Sequence, residues 1–202
     1  MKIFDAIPLQ QRNHWIFDQD GTLTDAVHDF ASIRKELGIP ASSDILGHLS
    51  ALPEHEALPL HTRLQQIELE LSAMTTAAAG AERLLQQLLD SGARMGILTR
   101  NTRENALRTL ELVGLDDYFA VADILGRDEA LPKPDPEGIL RLTERWGTTP
   151  SSSVMVGDYL FDLQAGRQAG ALTVHVDISR SFTWPDLADV AVGTLEELVA
   201  IL

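Results

Sequence analysis

Cysteine is absent from all 202 residues. That excludes disulfides, thiol nucleophiles and zinc–thiolate sites. Basic residues are scarce, 16 against 30 acidic ones, for a formal charge of −14. Such a surface repels nucleic acid and anionic lipid, so neither is expected as a partner. No apolar run approaches the roughly 18–20 residues of a membrane span. The opening stretch, MKIFDAIPLQQRNHW, has no basic segment followed by a long apolar one, so no signal peptide is expected and the default location is cytoplasmic. Aromatics make up only 5%, and Trp15, Trp146 and Trp184 read as packing residues. What remains is ordinary globular composition, 45% hydrophobic and 23% charged, at a length that suits one domain with an insertion.

Five short apolar runs read as strands: 14–18, 94–99, 153–158, 171–177 and 189–192. Helical patterns lie between most of them. AERLLQQLLDSG has apolar residues at 84, 85, 88 and 89, with Gly92 as terminator. The next helix starts at Thr102 as N-cap and closes at Gly114. Another takes Asp135 as N-cap, Pro136 at the first helical position and Gly147 as terminator. Residues 160–169 and 194–202 complete the set. Alternation of this kind predicts an α/β fold, a doubly wound, Rossmann-like parallel sheet between two helical layers.

Residues 26–76 break the alternation, with helical spacing and no convincing strand. Val27, Phe30, Ile33 and Leu37 predict one helix; SSDILGHLSAL predicts a short second one with a serine cap. Leu60, Leu64, Ile67 and Leu71 predict a third. The expected organisation is an α/β core over 1–25 and 77–202, with a small all-helical cap over 26–76, inserted after the first strand.

The stretch HWIFDQDGTLTDA ends an apolar run in Asp18 and Asp20, followed by Gly21 and Thr22. Two neighbouring carboxylates make sense where a cation offsets their charge or one holds a proton. A carboxylate is also a nucleophile toward phosphorus, and a second one nearby serves as acid and then base. Thr99 ends the second strand with a hydroxyl suited to a phosphate oxygen. Lys133 is a cation between two prolines, and GDYLFD sets Asp158 and Asp162 four residues apart, on one side of a helix. Acidic oxygens with few other donors suit magnesium.

DxDGT, a Thr ending the second strand, a Lys and an acidic GDxxxD occur here in order, as Asp18 to Thr22, Thr99, Lys133 and Gly157 to Asp162. DxDGT alone has on the order of 0.002 chance matches in a chain of this length. The set resembles the haloacid dehalogenase-like hydrolases across the whole chain, and DGTLTD and KPDP look like the helical-cap branch of phosphoglycolate phosphatase-like enzymes and β-phosphoglucomutase.

The resemblance implies a magnesium-dependent phosphatase acting on a small phosphorylated metabolite through an aspartyl-phosphate. Asp18 is then nucleophile and metal ligand, and Asp20 is the acid and base, with its carbonyl on the metal. Thr99 and the amides of Gly21, Arg100 and Asn101 cradle the phosphoryl group. Lys133 balances charge, Asp158 binds the metal, and Asp162 does so through water or orients Lys133. A monomer or homodimer is expected.

Arg100 is also a candidate substrate contact. In the cap, Arg34, His48, His55 and Arg63 are polar candidates, each more simply solvent-facing. A phosphomutase, a 2-haloacid dehalogenase and a phospho-aspartate signalling domain stay open as rivals; Asp20 and the GDxxxD pair argue against the dehalogenase.

Overall fold

A computed structural model describes residues 2–3 and 9–202. Its centre is one seven-stranded sheet: β1 (Lys2–Ile3), β2 (His14–Phe17), β3 (Arg94–Leu98), β4 (Ile124–Leu125), β5 (Ser153–Gly157), β6 (Leu172–Val176) and β7 (Val190–Val192). The order is β1-β7-β6-β5-β2-β3-β4, and all neighbours are parallel except β1 with β7. The five strands expected from the sequence are all present. The two-residue strands β1 and β4 carry no periodicity to read, and the sequence reading missed both.

Alternation along β2 builds the two layers. Trp15 and Phe17 enter a core with Leu84, Leu88, Leu110 and Leu198. These belong to α4 (Ala81–Asp90), α5 (Arg103–Val113) and α8 (Leu195–Val199). Ile16 points the other way, with Leu98, Met155, Ile139 and Leu142. That layer holds α6 (Glu137–Arg145) and α7 (Leu160–Ala169). Thr102 caps α5 by accepting from the Asn105 amide, and Gly114 ends it in the left-handed region that a side chain would disfavour. α6 begins one residue later than the sequence suggests: Pro136 is its N-cap, and Asp135 accepts from the Glu137 amide.

Between β2 and α4 run α1 (Phe30–Glu36), α2 (Ile45–Ser50) and α3 (Glu54–Ser72). They share their own apolar cluster of Ile33, Leu37, Ile45, Leu49, Leu64 and Ile67. Burying each such side chain contributes about 1.5–3 kcal/mol. Two local expectations need correction. Val27 precedes α1, and Phe30 is 55% exposed and stacks on His28, because Asp29 supplies the N-cap and starts the helix there. Asp44, not a serine, caps α2 through the Gly47 amide. α3 begins at Glu54 and runs through Pro59.

The chain leaves and re-enters the sheet region through one paired neck. The Asp25 amide donates to the Thr76 carbonyl (2.9 Å), the Thr76 hydroxyl donates to Asp25 Oδ2 (2.6 Å), and Thr24 bridges Ala77. Among the described residues, no helix is long and apolar enough to cross a membrane.

Candidate active site

Strand order reverses between β2 and β5, and this switch point is where doubly wound sheets bind ligands, beyond the carboxyl ends. Phe17 pairs with Ile97 on one side and Val156 on the other. Asp18, Thr99 and Asp158 therefore emerge together at one edge of the sheet. The Asp18 amide still donates to the Val156 carbonyl, which fixes where its side chain departs.

Lys133 arrives from the loop before α6 and is 2% exposed. Its ammonium donates to Asp18 Oδ1 at 2.5 Å and pairs with Asp162 Oδ1 at 2.6 Å. Asp162 Oδ2 accepts from the Tyr159 amide at 3.0 Å, so both of its oxygens have protein partners. Asp18, Asp158 and Asp162 each offer an oxygen, all within 4.8 Å of one another. These are all-oxygen, acidic donors, the kind a small hard dication takes.

Three carboxylates around one ammonium leave excess negative charge. Burial pushes Asp18 up to about 7; Lys133 opposes this, while Asp162 and Asp20 add to it. Burial likewise pushes Asp158 up to about 8, with Asp18 and Asp162 adding to it. Burial disfavours the Lys133 ammonium, but Asp162 and Asp18 outweigh it and hold its pKa above the ordinary value. The carboxylates thus favour a further positive charge.

Gly21 lies directly against one of these carboxylates. Its φ is +89°, and a Cβ there would lie 2.5 Å from Asp158 Oδ2. Its amide donates to the Thr24 carbonyl (3.0 Å) inside the turn, rather than outward to a phosphoryl oxygen as the sequence reading expects. What the glycine contributes here is clearance. The turn is anchored by Gln19, whose carbonyl accepts from the amides of Thr22, Leu23 and Thr24 and whose side chain donates to the Ala106 carbonyl. Asp20 opens this turn and is half-buried.

Thr99, 2% exposed, accepts from the Asn101 amide at 3.0 Å through Oγ1, leaving its hydroxyl hydrogen to donate elsewhere; that amide is thus engaged inside the loop rather than with a phosphoryl oxygen as the sequence reading expects. The Asn101 side chain accepts from the Thr102 amide. Arg100 turns toward the helical insertion. Its Nη2 donates to both oxygens of Asp44 at 2.7 Å, and its guanidinium lies 4.6 Å over the Phe161 ring. Of the polar candidates in the insertion, Arg63 braces α1 and α3 through Glu36 and Glu70. His55 is largely exposed beside Glu56.

Sequence reasoning did not single out Asp44, Glu68 or Arg127. Glu68 was the one with a signal: it follows Ile67 directly and lies four residues after Leu64, a carboxylate on the buried side of a helix.

The chain matches the family model for haloacid dehalogenase-like hydrolases over residues 31–176. It is 31% identical over 184 residues to a phosphoglycolate phosphatase of Agrobacterium fabrum, covering 80% of this chain and 78% of that protein. An uncharacterized hydrolase of Saccharomyces cerevisiae is 27% identical over 194 residues, covering 93% of this chain and 89% of that one. A hydrolase crystal structure from Pseudomonas syringae superposes with a TM-score of 0.79 at 24% identity, covering 94% of this chain and 96% of that one, and so shares the fold. With the four motif positions gathered at the sheet's switch point, the chain belongs to the haloacid dehalogenase-like hydrolases.

Proposed function

We propose that this protein is a magnesium-dependent phosphatase that hydrolyses a small phosphorylated metabolite through an aspartyl-phosphate on Asp18. The observation that carries the reading is the buried Asp18 carboxylate, held by Lys133 beside Asp158. Similarity to a phosphoglycolate phosphatase supports the substrate class.

The donor set fits a magnesium ion. Asp18 and Asp158 would hold it with the Asp20 carbonyl, and Asp162, engaged by Lys133 and Tyr159, would act through the lysine or through water. When bound, the ion would neutralise charge on the carboxylates and the phosphoryl oxygens. The protein's own groups do the rest. Lys133 fixes the attacking Asp18 oxygen, which forms a bond to phosphorus as the ester P–O bond breaks. Asp20 gives its proton to the departing alkoxide, then takes one from the water that attacks phosphorus and frees Asp18. The Thr99 hydroxyl donates to a phosphoryl oxygen, oriented by the Asn101 amide that donates to its Oγ1. The helical insertion over residues 26–76 would close the site against bulk water.

The test is phosphate release from p-nitrophenyl phosphate and a panel of phosphorylated metabolites, with and without magnesium. Release that needs magnesium and is lost in Asp18→Asn is the expected result. Undiminished release from Asp18→Asn would sink the mechanism. Isomerisation of a sugar monophosphate without net phosphate release would mark a mutase.

A further inference from the structure

The Thr99–Asn101 loop is gripped from behind by one residue that no motif includes. Arg127 follows β4 and is mostly buried, as is its partner Glu68 on α3. The two meet as a fork: Nη1 to Oε1 at 2.7 Å and Nη2 to Oε2 at 2.9 Å. Nη1 also donates to the Arg100 carbonyl at 3.2 Å, and the Arg127 amide donates to the Asn101 carbonyl at 2.9 Å. Neighbouring Gly126 allows this approach, since a Cβ there would lie 2.7 Å from the Asn101 carbonyl oxygen.

The consequence follows from peptide geometry. The Arg100 carbonyl and the Asn101 N–H belong to one planar trans unit, so they point in opposite directions. Holding the carbonyl on Arg127 aims the N–H away from it, at Thr99 Oγ1, where it donates at 3.0 Å. That bond occupies a Thr99 lone pair and leaves the hydroxyl hydrogen for an incoming oxygen. A continuous relay therefore runs from Glu68 through Arg127 and the Arg100–Asn101 peptide to the Thr99 hydroxyl. A planar guanidinium suits this task because it can hold a carboxylate with both forks and still donate to a carbonyl; a lysine ammonium cannot reproduce that geometry.

We infer that Arg127 is a positioning residue for phosphoryl binding. It orients the Asn101 amide and the Thr99 hydroxyl, and Glu68 anchors it to the helical insertion. The inference rests on the phosphatase reading above. Seating of α3 and alignment of the phosphate loop are then one coupled event.

The experiment compares wild type, Arg127→Lys and the isosteric Glu68→Gln, each checked for folding by circular dichroism. Two readouts are taken: steady-state kinetics on the best ester, and the Asn101 amide resonance in a ¹⁵N–¹H correlation spectrum. Arg127→Lys is expected to lower kcat/KM by about 10–100-fold, the scale of a small misalignment of a catalytic donor. Glu68→Gln should lower it less, and combining the two should add little, because Glu68 acts through Arg127. The Asn101 resonance should move in both variants. Folded variants with wild-type kcat/KM would overturn the inference, as would lost activity with the Asn101 resonance unmoved. A wild type inactive on every ester would instead overturn the phosphatase reading, and this role with it.

Discussion

The Lys133 ammonium sits 2.5 Å from Asp18 Oδ1, and Asp162 holds the same ammonium from the other side at 2.6 Å. This relationship fixes the direction of the buried Asp18 carboxylate, the proposed nucleophile. It also explains how carboxylates so close together are tolerated in the fold.

Lys133→Met should therefore damage both stability and activity. Removing one partner of a buried pair leaves uncompensated charge, a loss of about 3–5 kcal/mol. The loss should be larger at pH 8 than at pH 5, because without the lysine Asp18 is more easily kept protonated at low pH. Urea denaturation at the two pH values checks this. Phosphate release should fall at least about 100-fold.

Magnesium and pH should act together on stability. The folded pKa values of Asp18 and Asp158, about 7 and about 8, lie above those of ordinary carboxyls. Between about pH 4 and those values the folded chain holds more protons than the unfolded one. Stability of the metal-free protein from these groups is thus greatest at low pH and falls as pH rises toward 8. A cation that binds the ionised carboxylates removes this penalty. The magnesium-induced rise in Tm should grow from pH 5 to pH 8; a rise independent of pH would contradict the assignment of Asp18 and Asp158 as its ligands.

Gly21→Ala should impair magnesium binding while leaving the chain folded. The methyl group would press on Asp158 Oδ2 at 2.5 Å, in a backbone conformation with φ of +89°. The left-handed conformation alone costs about 1–2 kcal/mol for a non-glycine residue. Expected are a lower Tm and a weaker magnesium dependence of rate, read by titrating the metal at fixed substrate.

Asp177 governs the loop after β6. Its Oδ1 accepts from the amide and hydroxyl of Ser179, and its Oδ2 from the Ser181 hydroxyl and the Phe182 amide. Burial opposes the ionised form, but these donors outweigh it and lower the carboxyl to about 2. The stabilisation is present above pH 4 and is lost as pH falls toward 2. Asp177→Asn should cost about 1–2 kcal/mol at pH 7, and the difference from wild type should shrink below pH 4. Denaturation curves at pH 7 and pH 3 compare the two.

How much of this was legible beforehand depended on the length and register of each signal. Five strands announced themselves as apolar runs, and Thr102, Gly114 and Gly92 marked helix ends because capping is local chemistry. β1 and β4, two residues each, exist only because a neighbouring strand offers them a ladder. The start of α1 was misread because Val27 and Phe30 share its spacing while Asp29 sets its first turn.

The sequence by itself determined the carboxylates, the threonine and the lysine, and their order, because DQDGT, the strand ends and GDYLFD are contiguous patterns. Only the tertiary structure decided what each of them touches. Lys133 lies 115 residues from Asp18, and Glu68 lies 59 from Arg127. Pairings at such separations come from the crossing of strands and the seating of α3, which no local periodicity encodes. The same holds for Arg100: the sequence puts it directly after Thr99, but the folded insertion turns it to Asp44, 56 residues away.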